Sequence, residues 1–201
     1  MTTPTTKLEA VNTMLSTIGE APVNNLTSGL LDAETAETIL NNVSRSVQAY
    51  GWNFNSEPDY SIAKNTDGHV VLPSNVLRAD LAQSETKFRS SKNEYVQRGD
   101  KMYDKINHTY NIGKTLKLDL VFLLDYELIP EVARRYIAIK AARIFQERVV
   151  GSRELSAMNR NDEQEALIAL KEAEGDNGDY NIFDDNSTYS VLDRNIGTRV
   201  I

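Results

Sequence analysis

Pairs of carboxylates are the side chains of this sequence best suited to catalysis. Glu57 and Asp59 follow Trp52 closely, and Asp125 precedes Glu131. Two carboxyl groups on opposite sides of a glycosidic bond can hydrolyse it when burial raises the pKa of one of them. The chain contains 29 acidic residues, so such pairs also arise by chance. We therefore expect solvated surface carboxylates, and a polysaccharide-degrading hydrolase is the alternative interpretation.

The residues that most other catalytic and cofactor sites require are missing. His69 and His108 are the two histidines, and neither has a spacing typical of metal ligands. The chain has no cysteine, which removes disulfides, thiolate catalysis and cysteine-based metal sites. The glycine-rich phosphate-binding loops and the nucleophile elbow are also absent. The sequence predicts no catalytic residue, no metal and no cofactor.

Charge and hydropathy exclude two further classes. The formal net charge is −7 and the pI is about 5.0, whereas a dedicated nucleic-acid binder relies on Lys and Arg. No apolar run approaches the about 18 residues of a membrane span, and no secretory signal pattern is visible. We expect a soluble, mildly acidic protein without membrane contact.

Four segments have helical periodicity, and each is followed by a glycine. Thr6 and Glu9 form a capping box before the first helix, and a second helix follows Asp32. Apolar residues surround the third segment, about 130–150, on nearly all sides, which predicts a central helix with Pro130 in its first turn. The fourth, about 153–174, is polar with a weaker apolar face. The glycines predicted to end these helices are Gly19, Gly51, Gly151 and Gly175.

The segment between the second and third helices changes to a period of two. Asp67-Gly68 predicts a turn leading into residues 69–72, and Gly99-Asp100 predicts a type II′ hairpin joining 94–98 to 101–105. Residues 116–124 alternate as a strand with one buried face. We predict an α+β fold, a bundle of about four helices with a small antiparallel sheet inserted between helices 2 and 3. The bundle comprises 1–52 and 126–175, the β-rich insertion 53–125, and an extended C-terminal tail 176–201.

The C-terminal tail is predicted to dock. A segment this polar buries too little apolar surface to become ordered by itself. Apolar anchors nevertheless recur along it, which indicates ordering against its own body or against a neighbouring subunit. The anchors that we assign to interaction are Tyr180, Ile182, Phe183, Tyr189 and Leu192.

Cations on the third helix form a second candidate interaction set. Arg134, Arg135 and Arg143 scatter around the helix instead of forming the single stripe of a DNA-reading helix. An acidic stretch follows between residues 154 and 193. Charge complementarity between subunits is one interpretation, and pairing within one chain is the other.

Five blocks in sequence order resemble a known family. They are Val11–Val23, Gly51–Asn55, Tyr95–Gly99 with Tyr103-Asp104, Asp125–Gly151, and Gly178–Asn181. Together these blocks resemble tail tubular protein A, the portal-to-tail adaptor or gatekeeper of short-tailed bacteriophages. Residues 187–201 match this pattern less clearly.

The resemblance implies a structural virion protein and not an enzyme. It implies a homo-oligomeric ring, a dodecamer, between the portal protein and the nozzle protein, tail tubular protein B. Tail fibres would dock on the outside, and translocating DNA would pass through the lumen with non-specific contact. The implied location is the virion tail, with assembly in the cytoplasm of the host bacterium. An acidic lumen would not retain DNA, because like charges remove the attraction to phosphates.

Overall fold

The computed structural model describes residues 4–27, 29–82, 84, 94–151 and 153–178, without the side chains of 153–158 and 177–178. Four helices occupy these ranges: α1 (Lys7–Ser16), α2 (Leu31–Gln48), α3 (Glu131–Val149) and α4 (Arg153–Gly178). The strands described there are β1 (Ser56–Ile62), β2 (Val76–Leu81), β3 (Tyr95–Arg98), β4 (Lys101–Asp104) and β5 (Leu116–Phe122). The predicted α+β architecture, with its sheet inserted between helices 2 and 3, is confirmed.

The capping box at the start of α1 is confirmed in both directions. The Thr6 hydroxyl accepts a hydrogen bond from the Glu9 amide at 3.2 Å, and the Glu9 carboxylate accepts one from the Thr6 amide at 2.7 Å. Two N–H groups that the helix itself leaves unpaired are thereby satisfied. The apolar face that begins here is buried in the bundle.

Helix α3 is the centre of the bundle, as its apolar periphery predicts. It packs against α1, α2 and α4, and buried residues occur along its whole length. Ile137 and Phe145 are completely buried. A helix that touches three neighbours needs apolar residues on several faces, which explains its weak amphipathicity.

The helices have one end near the sheet and one end away from it. The Gln48 side chain at the end of α2 bonds to Leu124, just after β5, and the Glu174 carboxylate of α4 accepts from the Asn53 amide at 2.6 Å. The Thr5 amide, before α1, donates to Glu131 at the start of α3 at 2.8 Å. We call this the proximal end. At the opposite, distal end, α2 begins and α3 ends.

The sheet is antiparallel in the order β1-β5-β2, and β3 and β4 form a separate hairpin. Leu116, Leu118 and Leu120 of β5 are buried and Lys117 is exposed, which confirms the predicted alternation. Gly99 has a φ of +63° in the hairpin turn, as a type II′ turn requires at its first central position.

Strand β1 is an exposed edge of the three-stranded sheet. Its pairing with β5 is interrupted by a bulge between Glu57 and Tyr60. Pro58, which has no N–H, and Asp59, with a φ of +54°, occupy the bulge.

Two hydrophobic clusters divide the interior. The helical core contains residues of all four helices together with Trp52, Tyr126 and Ile129. The sheet core lies among the strands and includes Val70, Leu72 and Met102. Leu124 packs against both clusters and connects them.

Three local predictions were wrong. Helix α4 continues through Gly175 to Gly178, so the first three residues of the predicted tail are helical. One helical glycine costs about 1 kcal/mol, and the bond between Glu174, one residue earlier, and the Asn53 amide fixes this end of α4. Pro130 is the N-cap and lies just before the first turn of α3. Residues 69–72 form a single bridge, Val71 to Lys101, instead of a strand.

Candidate interaction surfaces

The Arg134 guanidinium group donates hydrogen bonds to three backbone carbonyls of its own chain. Its Nε donates to the Ile129 carbonyl at 2.6 Å and its Nη1 to the Thr5 carbonyl at 3.0 Å, and its Nη2 donates to the Glu127 carbonyl. A guanidinium group offers five donors in a fixed fork, which suits it to several carbonyls at once. Arg134 therefore fixes the chain before α1 and the turn before α3 at the proximal end.

Arg143 forms ion pairs that join two helices of one chain. Its Nε lies 2.5 Å from a Glu163 oxygen on α4, and its Nη1 lies 2.9 Å from a Glu147 oxygen on α3. The hydrogen bond that Arg143 donates to the Glu163 carboxylate raises the pKa of Arg143 above its ordinary value. Of the two interpretations for this arginine, the structure shows pairing within the chain.

Arg135 differs from its two neighbours because its side chain is exposed. No hydrogen bond or ion pair to Arg135 is found within the described ranges. It lines a groove of about 440 Å³ between α3 and α4, which we call the α3–α4 groove. The other lining residues are Glu131, Val132, Glu165, Ala166 and Ala169.

The predicted anchors of the tail, Tyr180, Ile182, Phe183, Tyr189 and Leu192, lie outside the described residues. Their interaction role stays a prediction. The structure does place the point from which they depart, because α4 ends at Gly178 on the proximal side of the bundle.

A polar network at the proximal end joins helices to sheet. The Asn55 Nδ2 donates to the carbonyls of Gln48 at 2.9 Å and Phe122 at 2.7 Å, while its Oδ1 accepts from the Trp52 amide at 2.9 Å. Gln48 bonds to both the amide and the carbonyl of Leu124, at 2.8 and 3.0 Å. Both side chains are buried. Sequence analysis did not identify them, and their only signal was a polar residue on an otherwise buried helix face.

Two pairs of sequence neighbours are exposed at helix ends on the distal side, Leu30-Leu31 at the start of α2 and Val149-Val150 at the end of α3. We call these four residues the distal patch. Leu31 is 75% exposed and Leu30 is 55% exposed. Tyr50 and Leu128 are also exposed near the proximal end, but as single side chains, and Tyr50 packs on Trp52 with ring centroids 5.0 Å apart. Scattered surface hydrophobes are normal, whereas grouped ones indicate interaction sites. Sequence analysis did not single out these pairs.

The carboxylate pairs considered for glycoside hydrolysis are exposed. Glu57 and Asp59 lie on the edge strand β1, where the Asp59 amide donates to Asp119 at 3.0 Å. Asp125 is exposed as well, and both Glu131 oxygens bind Thr5. A glycosidase needs one carboxyl group in a buried environment that keeps it protonated. Neither pair supplies one.

Metal sites and membrane-spanning helices were the other two features sought among the described residues, and neither is found there. No group of three or more His, Asp or Glu residues in them is arranged to hold a metal ion. Among the described residues, no helix combines the length and apolar character that a membrane crossing demands.

The family of the chain follows from comparison with known proteins. The sequence model of the tail tubular proteins matches residues 8–180. The chain belongs to the tail tubular protein family. It is 27% identical over 132 residues to tail tubular protein A of Klebsiella phage KP34, which covers 66% of this chain and 67% of that relative. The resemblance predicted from the sequence blocks is confirmed.

Family membership makes the chain a structural component of the phage tail and of the virion. A tail tubular protein is consistent with a structural and not a catalytic role.

Proposed function

We propose that this protein is the adaptor between portal and tail, a ring of identical subunits through which DNA is ejected. We propose a dodecamer, bound on one side by the portal protein and on the other by the nozzle protein, tail tubular protein B, with tail fibres docked outside. It would assemble in the cytoplasm of the host. The single observation that carries the proposal is the distal patch, which we assign to the portal.

An adaptor must offer apolar surface to a partner without losing its own fold. Leu30 and Leu31 precede and begin α2, and Val149 and Val150 follow one another at the end of α3, and within the described residues nothing removes these side chains from water. Burying an exposed aliphatic side chain stabilises an interface by about 1.5–3 kcal/mol. Two such pairs at one end therefore support a docking end.

The charge of the chain supports passage of DNA through the proposed ring. At a net charge of −7, non-specific attraction to phosphates is weak. Arg134 and Arg143 are already bonded within the chain, which leaves them less available to phosphates. DNA would pass through the lumen without being retained.

Native mass spectrometry of the purified protein, alone and mixed with portal protein, tests this function. The wild type should give a dodecamer, alone or on the portal, and Leu31→Glu should prevent portal binding because it places a charge in the interface. Ile106→Glu is the matched control, since Ile106 is 63% exposed in the loop after β4, away from the distal patch. A wild-type monomer that ignores the portal, or equal binding by both variants, would contradict the proposal.

A further inference from the structure

We propose that the α3–α4 groove is the binding site for the chain's own C-terminal segment, residues 179–201, with Ile182 and Phe183 as its anchors. The groove has a volume of about 440 Å³, within the range of about 300–1,000 Å³ typical of protein pockets. Ala166 is buried and Val132 is half-buried, whereas Ala169 and the three charged lining residues are exposed. The groove is therefore apolar inside and polar at its margins.

The position of the groove fits the start of the segment. Ala169 precedes Gly178, the last residue of α4, by nine positions, which is about 14 Å along a helix. An extended chain advances about 3.3 Å per residue, so a chain that reverses within one or two residues of Gly178 passes the level of Ala169 between about Ile182 and Asp184. Gly178, the last residue of α4, and Asp179, which follows it, are residue types that favour such a reversal. No other segment needs to move.

The charges around the groove also fit this segment. Arg135 is exposed, and no partner for it is found in the described part of the chain. Asp184 and Asp185 directly follow Phe183 in the sequence. A guanidinium–carboxylate pair beside an apolar anchor would fix the register of the segment. Glu165 lines the α4 side of the groove, and Glu131, on the α3 side, is bonded to Thr5. The two aspartates should therefore lie next to Arg135, away from both carboxylates.

The tether favours the chain's own segment over that of a second copy. A short flexible connection gives an effective concentration in the millimolar range, which exceeds the micromolar concentration of other copies in solution. The inference concerns the isolated chain and does not depend on ring formation or on the portal.

Engineered cysteine pairs can test this placement, because the natural chain contains none. The test pair is Ala169→Cys with Ile182→Cys, and the control pair is Lys171→Cys with Ile182→Cys. Lys171 is exposed at nearly the same height on α4, but about 200° around the helix from Ala169. A disulfide needs the two Cα atoms within about 7 Å of each other. A merely tethered segment would cross-link to both positions equally.

Under mild oxidation of dilute protein, the test pair should form an intrachain disulfide at least about ten-fold faster than the control pair. Intact-mass analysis and non-reducing electrophoresis distinguish this product from a cross-linked dimer. Adding Phe183→Ser to the test pair should remove most of the difference, and circular dichroism confirms that each variant is folded. Equal rates for both pairs, predominantly interchain products, or no effect of Phe183→Ser would overturn the proposal.

Discussion

The two ends of the helical bundle differ in how far their polar and apolar groups find partners within the chain. At the proximal end, the buried side chains of Gln48 and Asn55 bond to backbone groups of the chain that follows α2 and of β5. At the distal end, Leu30-Leu31 and Val149-Val150 face water. At the proximal end, buried polar groups are hydrogen-bonded within the chain. At the distal end, apolar side chains remain exposed and available to a partner.

This difference separates residues that hold the fold from residues that are free for assembly. A substitution at a completed end leaves polar groups buried without partners and destabilises the isolated chain. A substitution at an open end changes little until a partner is present. The contrast can be measured as a difference in the free energy of unfolding.

The largest effect is expected for Asn55→Ala. Truncation leaves the Trp52 amide and the carbonyls of Gln48 and Phe122 without their side-chain partner. We expect a loss of about 3 kcal/mol in the free energy of unfolding, because each unsatisfied buried group costs about 1–3 kcal/mol and the site relaxes in part. Urea denaturation of the isolated protein measures it.

Asn53→Ala is the matched control for that variant, since the Asn53 side chain is exposed two positions away. Its effect should stay within about 0.5 kcal/mol. If the two alanine variants unfold at the same urea concentration, the polar network at the proximal end does not stabilise the fold, and the proposed difference between the two ends is wrong.

An intermediate effect is expected for Glu163→Gln, in the distal half of the bundle. It removes one of the two carboxylates bound by Arg143, which is only 16% exposed. We expect a loss of about 1 kcal/mol, between the values of exposed and buried ion pairs. Glu165→Gln, on the same helix, should be nearly neutral. Salt titration sharpens the result, because added NaCl should reduce the difference between the two variants.

The smallest effect is expected for Leu31→Gln. Leu31 is 75% exposed, so the free energy of unfolding of the monomer should change by less than about 0.5 kcal/mol. Ala33→Gln, two positions along α2 where the side chain is 1% exposed, should cost about 1–3 kcal/mol through overpacking. Thermal unfolding of both variants measures the contrast, and a large loss in Leu31→Gln would place that residue in the core.

Sequence patterns predicted the elements that local chemistry determines. The capping box at Thr6, the Gly99 turn and the alternation along β5 each depend on residues a few positions apart. The central position of α3 followed from the distribution of its apolar residues. These features are local, so one sequence is sufficient to identify them.

Features that depend on distant partners were not predictable in the same way. Gln48 and Leu124 are separated by 76 positions, and Asn55 and Phe122 by 67. The continuation of α4 past Gly175 follows a contact between distant residues as well, because Glu174 bonds to Asn53, 121 positions away.

The candidate interaction residues show the same limit. Arg134, Arg135 and Arg143 are equivalent by charge, and only their neighbours in the fold distinguish two bonded arginines from an exposed one. The family, by contrast, was predictable because its blocks keep their order along the chain, and the match over residues 8–180 confirms it.

The bulge in β1 has a consequence for how copies of this chain coexist at high density. An exposed sheet edge is a template for strand-to-strand addition, and such additions lead to aggregates. Pro58 removes one donor from this edge, and the positive φ of Asp59 breaks its straight run. A strand of another molecule therefore cannot form a regular ladder of backbone hydrogen bonds with β1, because this edge is kinked and charged. Copies of the chain at high concentration can therefore lie close together without pairing at their sheet edges.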